Sequence, residues 1–249
     1  GLLTTLLFSS LYHEISVTQQ QRQGVVYIQA VRPLLEHVPQ HRGMTNAFLN
    51  GKPEFKNRIL EKRKTIDSLF NDLGQIDSGL NQQFDSSAEL AAIRQNWEAL
   101  KQDAFNQPAA EVFARHSDII SKLGLLLKHV ADKSYLNLNG DLALHYMIDA
   151  LEIRLPAITD TIGKIRGLAS GMAASGKTVS SEQNTRIYLL THQARASIAE
   201  LSYDIATIRQ ANPALRGRLQ GLDDSALAGL EEYIALVNDE LIYADILSV

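Results

Sequence analysis

The sequence predicts an all-α protein, built as two stacked antiparallel four-helix bundles that share long helices. Apolar residues recur at steps of three and four along almost the whole chain, and Val and Ile follow this spacing instead of the alternation of a strand. The helices outlined in this way differ widely in length, and such unequal lengths do not fit one four-helix bundle. Two bundles placed end to end would accommodate them.

The composition supports a folded core and excludes several classes of protein. The 249 residues are 45% hydrophobic, which suffices for one large or two modest domains. The formal net charge of -4 includes no basic excess, so we expect no nucleic-acid partner. Cysteine is absent, which rules out disulfides and thiolate metal sites.

The first predicted helix is by far the longest and covers about residues 3–50. It ends at Gly51, a residue typical of helix ends, and Pro53 marks the start of the next helix. Pro33 and Pro39 lie inside it, and each should kink or break the helix because proline lacks the backbone donor.

Three further helices are predicted in the first half, over about residues 54–82, 87–100 and 109–134. The third should begin with a capping box, in which the Ser86 hydroxyl and the Glu89 side chain each bind the other residue's backbone N–H. Together with the first helix, they supply the elements of one bundle.

The fifth helix carries the clearest heptad repeat in the chain. Asp141 is its predicted N-cap, Pro156 should kink it, and Gly176 should end it. Steps of three and four alternate without a fault through Ile148, Leu151, Leu155, Ile158, Ile162, Ile165, Ala169 and Met172. This repeat is typical of coiled-coil or bundle packing.

A sixth helix is predicted over about residues 181–211, begun by Thr178 or Ser180 and broken at Asn212 and Pro213. The last helix follows residues 222–225 and stays in register to the end of the sequence.

Residues 1–11 are apolar but too short to span a bilayer. We interpret them as the outer end of a transmembrane helix in preference to the frayed start of a soluble one. Long helices at both ends suit an extracytoplasmic segment held between two membrane helices.

No catalytic arrangement is predicted. Residues 171–178 match the phosphate-loop pattern G-x-x-x-x-G-K-[ST], but that loop needs a preceding strand, and the preceding segment here reads as an amphipathic helix. His37 and His41 have helical metal-site spacing without the accompanying Glu of a metalloprotease. We therefore expect no enzyme activity, no cofactor and no metal.

Two Arg-Gly steps are the strongest functional signal. Arg42 and Arg166 each follow a core position of a heptad-like repeat by one residue, and each precedes a glycine. Placed alike on two long helices, they could converge on one anion, since the guanidinium fork suits planar oxyanions. Alternatively, each arginine pairs with a carboxylate on a neighbouring helix and only sets register. Weaker candidates for the pocket wall are His41, Gln40, Tyr27 and Tyr146.

Two clusters of residues resemble the ectodomains of a large group of bacterial sensors. The clusters read RQGVVY at 22–27, PLL at 33–35 and HRGM at 41–44, then DLALHYMID at 141–149, LP at 155–156 and IGKIRG at 162–167. The chain is similar to nitrate/nitrite-sensing domains and other helical bimodular sensors. This resemblance implies a periplasmic domain, usually dimeric, between two transmembrane helices of an inner-membrane chemotaxis transducer, histidine kinase or cyclase.

The resemblance also implies roles for residues. In the nitrate-sensing relatives, arginines of the long helices hold the anion, and Arg42 and Arg166 occupy the matching positions. The family commonly has an acidic residue before the first Arg-Gly, whereas this chain has His41, which favours a carboxylate ligand or pH-dependent binding.

The expected function is therefore that of a ligand-sensing periplasmic domain, with residues 1–249 forming one sensor domain of two helical modules. It would bind nitrate, nitrite or a short carboxylate between long helices, as a homodimer, and pass a helix displacement across the membrane. The alternative is a scaffold ectodomain that binds a periplasmic protein and no small molecule.

Overall fold

The computed structural model describes residues 2–136, 141–175, 180–219 and 222–237. Within these ranges the regular structure is entirely helical, which confirms the all-α prediction. No helix in the described part of the chain is both long enough and apolar enough to cross a membrane.

The helices follow one another along the chain with short connections. Their bounds are α1 Leu2–Leu49, α2 Phe55–Phe84, α3 Ser87–Asp103, α4 Ala109–Lys133, α5 Leu142–Asp149, a π-helical turn Ala150–Arg154, α6 Leu155–Ser175, α7 Ser181–Ala211, α8 Pro213–Leu219 and α9 Leu222–Val237. They form two compact units. Unit 1 comprises Gly1–Thr45 and Pro53–Gly140, and unit 2 comprises Asn46–Lys52 and Asp141–Val249.

The long first helix is continuous through both of its prolines, so the expected break at Pro33 or Pro39 is wrong. Each proline removes one backbone hydrogen bond, but the helix also packs one face into the core of unit 1. Val31, Leu34 and Val38 on that face are completely buried. Tertiary packing therefore holds this segment helical.

The segment before Pro156 forms a π-helix, so the helix is irregular at the place where the sequence predicts a kink. The Leu155 N–H donates to the Ala150 carbonyl five residues earlier, the bonding pattern of a π-turn. The wider π-turn interrupts the α-helical spacing here, and Leu151 and Leu155 are 38% and 41% exposed instead of lying in the core. The predicted heptad is thus wrong at these two positions, while Ile158 remains buried.

Two predicted caps are confirmed and one is wrong. Asp141 accepts hydrogen bonds from the N–H groups of Ala143 and Leu144, and Ser180 forms a capping box with Gln183. Ser86 makes no side-chain cap for α3. Its hydroxyl turns into unit 1, where the buried carboxylate of Asp77 accepts its hydrogen bond.

The break at Asn212 and Pro213 leads into the short helix α8, which the sequence did not predict. Proline suits the first position of a helix, where its missing donor is not needed. The Asn212 side-chain oxygen accepts a hydrogen bond from the Ala214 N–H at 3.1 Å, so it satisfies one free donor of the new helix. The expected ends of the fifth and last helices, at Gly176 and after residue 237, lie outside the described residues.

In unit 1, helix α1 packs closely against the end of α4. Gly24 makes this approach feasible, because a Cβ atom added there would lie 2.3 Å from Ser134 Oγ and 2.4 Å from Ser134 Cβ. The Gln20 amide donates to the Lys133 carbonyl at 2.9 Å, which satisfies an acceptor at the end of α4.

In unit 2, apolar residues of α6, α7 and α9 form one core. Buried members of this core are Ile158, Ile165, Met172, Ile187, Ala194, Ile198, Leu201, Ile234 and Val237. The predicted core positions Ile158, Ile165 and Met172 are therefore confirmed.

Candidate functional site

The interior of unit 1 holds a pair of histidines. His41 on α1 and His116 on α4 are both completely buried, and the distance from His41 Nδ1 to His116 Nε2 is 2.7 Å. The edge of the Trp97 indole packs against the His41 ring, with centroids 5.0 Å apart. A short contact between two imidazoles requires one to donate and the other to accept.

The surrounding contacts determine which ring nitrogens carry protons. His116 Nδ1 lies 2.7 Å from the Val112 carbonyl oxygen, which can only accept, so this nitrogen carries a proton. In a neutral His116 ring, Nε2 then accepts from His41 Nδ1. His41 Nε2 in turn accepts from Arg63 Nε, at 3.3 Å. A directed chain of hydrogen bonds runs from Arg63 through both rings to the backbone of α4.

Both imidazoles are held neutral. Burial, with smaller contributions from the neighbouring His116 and Arg63, lowers the pKa of His41 to about 2. Burial also lowers the pKa of His116 to about 4, because the opposing hydrogen bond to Val112 is weaker and the Arg42 charge adds to the shift. Neither ring is expected to take up a proton at neutral pH.

Arg42 is a core residue, only 1% exposed. Its Nη1 donates to Ser117 Oγ at 2.9 Å, and its guanidinium lies 4.5 Å from the centroid of the Phe113 ring. Both contacts join α1 to α4, and the second is a cation–π interaction. Arg42 therefore takes part in the same α1–α4 contact as His41.

Arg63 is a second cation at this site and was not a predicted site residue. Its Nη1 donates to the Lys101 carbonyl at 3.1 Å, and its guanidinium lies 4.4 Å from the Phe105 ring centroid. Its Nη2 is buried and has no hydrogen-bond partner among the described residues. Burial lowers the pKa of Arg63, and the charge of Asp67 opposes that shift.

A sequence signal for Arg63 and His116 does exist. Arg63 stands between the buried residues Ile59 and Ile66 at steps of four and three, and His116 stands likewise between Val112 and Ile119. Polar residues at core positions of a helix mark a buried polar network. The same criterion singles out His41.

Tyr27 lies in the core of unit 1, away from Arg42. Its hydroxyl donates to Asp77 Oδ1 at 2.8 Å, and burial raises its pKa. The two residues are fifteen positions apart on one helix, which corresponds to about 22 Å along the axis. Tyr27 is therefore part of an internal hydrogen-bond network that Ser86 and Ser87 complete on Asp77.

Gln40 is exposed at the surface of unit 1. Its side-chain oxygen accepts from Lys62 Nζ at 2.8 Å, and the same ammonium donates to His37 Nδ1 at 2.9 Å. Its amide is 3.4 Å from Glu36 Oε1. This is a polar surface cluster that joins α1 to α2.

Arg166 and Tyr146 belong to unit 2. Arg166 is exposed on α6, and its charge lowers the pKa of Tyr233 against the larger effect of burial. The Tyr146 ring packs against the rings of His145 and Tyr203, at centroid distances of 5.4 and 5.8 Å. Because Arg42 and Arg166 lie in different units, their convergence on one anion remains a prediction.

Unit 2 has a buried carboxylate of its own beside the π-helical turn. Asp204 is 2% exposed, and Arg154 Nε lies 3.4 Å from its Oδ2. Arg154 also pairs with Glu200 at 2.7 Å. Burial raises the pKa of Asp204, and the Arg154 charge partly offsets that shift. This contact joins the π-turn to α7.

A cavity of about 450 Å³ opens beside Arg63, between the first half of α2 and the end of α3. Three cationic side chains line it, those of Arg63, Lys64 and Lys101. In the described ranges, no group of three or more His, Asp or Glu side chains is placed to hold a metal ion.

The phosphate-loop pattern begins inside a helix. Gly171 belongs to α6, so a helix and not a strand precedes it. Residues 176–179 lie outside the described part of the chain. The helical context supports the interpretation of this pattern as a helix end.

Comparisons of the chain with protein-family models, with curated proteins and with solved structures gave no match.

Proposed function

We propose that the chain is the ligand-sensing periplasmic domain of a membrane signalling receptor and that it binds a small anion. The supporting observation is the pair of guanidinium groups beside the neutral histidines of unit 1, that of the buried Arg42 and that of the partly buried Arg63. Withdrawing a cation from water is costly, and the positive potential that results favours an anion close by. Nitrate, nitrite and short carboxylates are the ligands of this class.

The contacts of α1 suggest how binding would be passed on. Both His41 and Arg42 connect α1 to α4, through His116 and Ser117. A ligand can switch a protein between two conformations only if it binds one of them more tightly. An anion that draws Arg42 or Arg63 toward itself would bind more tightly to one packing of α1 than to another. A small displacement of this long helix then carries the signal.

The wider arrangement belongs to the same proposal. Two stacked four-helix bundles share the long helices, Arg166 supplies a second cation from the equivalent position, and the receptor is a homodimer anchored by flanking transmembrane helices. The resemblance to nitrate/nitrite-sensing and helical bimodular sensors supports these points.

A thermal-shift titration tests the proposal. Nitrate, nitrite and acetate are added to the whole chain, and an anion that binds only the folded state must raise the melting temperature. Arg166→Gln removes the exposed predicted cation, and Arg216→Gln removes another exposed arginine of unit 2 as its control. We expect a smaller response in the first variant alone. No response of the unmodified chain to any anion would refute the proposal.

The scaffold function has one observation in its favour. Leu151, Ile153 and Leu155 are 38–42% exposed on and beside the π-helical turn, and grouped exposed apolar side chains often mark a protein-binding surface. Leu151→Gln together with Leu155→Gln should then abolish partner capture without loss of melting temperature. The scaffold is favoured if anions leave the melting temperature unchanged.

A further inference from the structure

We propose that the cavity beside Arg63 is the ligand site of unit 1, and that its ligand is a small carboxylate carrying a hydroxyl or ammonium group. This inference rests on the proposed function and assigns it a location and a ligand class. The cavity volume of about 450 Å³ lies within the usual range for small-molecule sites, roughly 300–1,000 Å³. Such a volume accommodates an organic anion, beyond the space that nitrate needs.

The cations of this cavity are placed to receive a carboxylate. Lys64 is only loosely paired, because its Nζ lies 3.6 Å from Glu61 and both side chains are more than three-quarters exposed. Arg63 has a buried Nη2 without a hydrogen-bond partner among the described residues. A ligand carboxylate could therefore take a hydrogen bond from Lys64 at little cost in existing contacts, and one from Arg63 if the guanidinium turns its buried Nη2 toward the cavity.

The remaining lining favours a ligand that also donates hydrogen bonds. Glu61, Asp67 and Asn57 line the same cavity. Lys101 pairs with Asp67 at 2.6 Å, so Glu61 is the carboxylate that would chiefly repel a bare carboxylate ligand. A hydroxyl or ammonium group next to the ligand carboxylate can donate to Glu61 or Asn57 instead. The mixed lining thus selects against simple fatty acids.

The cavity is connected to the histidine pair and to a spectroscopic reporter. Arg63 donates to His41 Nε2, so a ligand that draws on Arg63 weakens its bond to α1. Asp67, on the cavity wall, accepts the indole N–H of Trp97 at 2.7 Å. Trp97 is the only tryptophan in the sequence, so its fluorescence reports on this wall alone.

The test is a fluorescence titration of the whole chain with propionate, lactate and alanine, which share a three-carbon skeleton. We expect lactate and alanine to bind more tightly than propionate. Lys64→Gln should weaken all three roughly sixfold, as expected for a contacting charge about 4 Å away in a water-like dielectric. Glu61→Gln should tighten propionate about threefold and weaken alanine, whose ammonium loses its partner. Both residues are exposed, so neither change should prevent folding.

Lys122→Gln on α4 is the matched control, because it removes a surface lysine that pairs with Asp118 one helical turn away. Opposite effects of the Lys64 and Glu61 changes on propionate, with Lys122→Gln unchanged, would support the site. If anions raise the melting temperature but the Lys64 and Lys122 variants bind alike, the cavity is not the site and the proposed function survives. If no anion produces any response, both proposals fail.

Discussion

Acidification should destabilise unit 1 through its two buried histidines. In the unfolded chain an imidazole takes up a proton near pH 6.5, whereas burial lowers the folded-state pKa of His41 to about 2 and of His116 to about 4. Between these limits the unfolded state binds more protons than the folded state. Stability is therefore complete above about pH 7 and falls as the pH is lowered from there.

The size of the effect follows from the unfolded-state pKa alone, provided that both rings stay neutral in the folded state. At pH 5, protonation of one imidazole stabilises the unfolded state by about 2 kcal/mol. The two imidazoles together therefore lower the free energy of unfolding by roughly 4 kcal/mol relative to pH 8. This is a large part of the stability of a typical domain, about 5–15 kcal/mol.

Urea unfolding at pH 8 and pH 5, followed by Trp97 fluorescence, measures this loss in unit 1. His116→Gln removes one titrating ring while its side-chain oxygen can still accept from His41 Nδ1, so its pH-dependent loss should be smaller by about 2 kcal/mol. His192→Gln is the control, since His192 is exposed in unit 2. Equal pH-dependent losses in the unmodified chain and the His116 variant would refute the reasoning, as would NMR titration of either buried ring near pH 6.5.

Three further changes test the packing of the fold. Asp77→Ala leaves the hydroxyls of Tyr27, Ser86 and Ser87 without their acceptor and should cost roughly 3–5 kcal/mol in urea unfolding, with Asp77→Asn less severe. Gly24→Ala should cost about 1–3 kcal/mol by the same measurement, because the new methyl overlaps Ser134; an unchanged unfolding midpoint would contradict the close approach of α1 to α4. Ser180→Ala should cost about 1 kcal/mol of unit 2 stability, measured by circular dichroism, and Ser180→Asp should restore it.

Helix positions could be predicted well because they depend on local pattern. The heptad spacing and the cap residues place α7 at Ser181–Ala211, in agreement with the structure. The π-turn could not be derived in this way, since the response to Pro156 depends on how the helix packs on either side of it. Ser86 shows the same limitation. Its hydroxyl donates to Asp77, nine positions away, instead of capping α3, and local pattern does not reveal that partner.

The site could be predicted only in part. His41 and Arg42 were recognised because they interrupt or adjoin an apolar repeat, and both lie in the polar interior of unit 1. Arg63 and His116 occupy similar positions, but only the folded chain shows that they bind His41. Pairing between helices depends on tertiary register, and one sequence does not contain that information.

The fixed direction of the hydrogen bonds through the two imidazoles also disfavours a wrong alignment of α1 with its neighbouring helices. If α1 slid along its neighbours by one turn, about 5.4 Å, Val38 or Thr45 would stand where His41 now accepts from Arg63. Valine offers no acceptor at all, and threonine reaches less far, so Arg63 Nε would lose its acceptor. Apolar side chains alone would tolerate such a shift, whereas the loss of the hydrogen bond between Arg63 and His41 disfavours it.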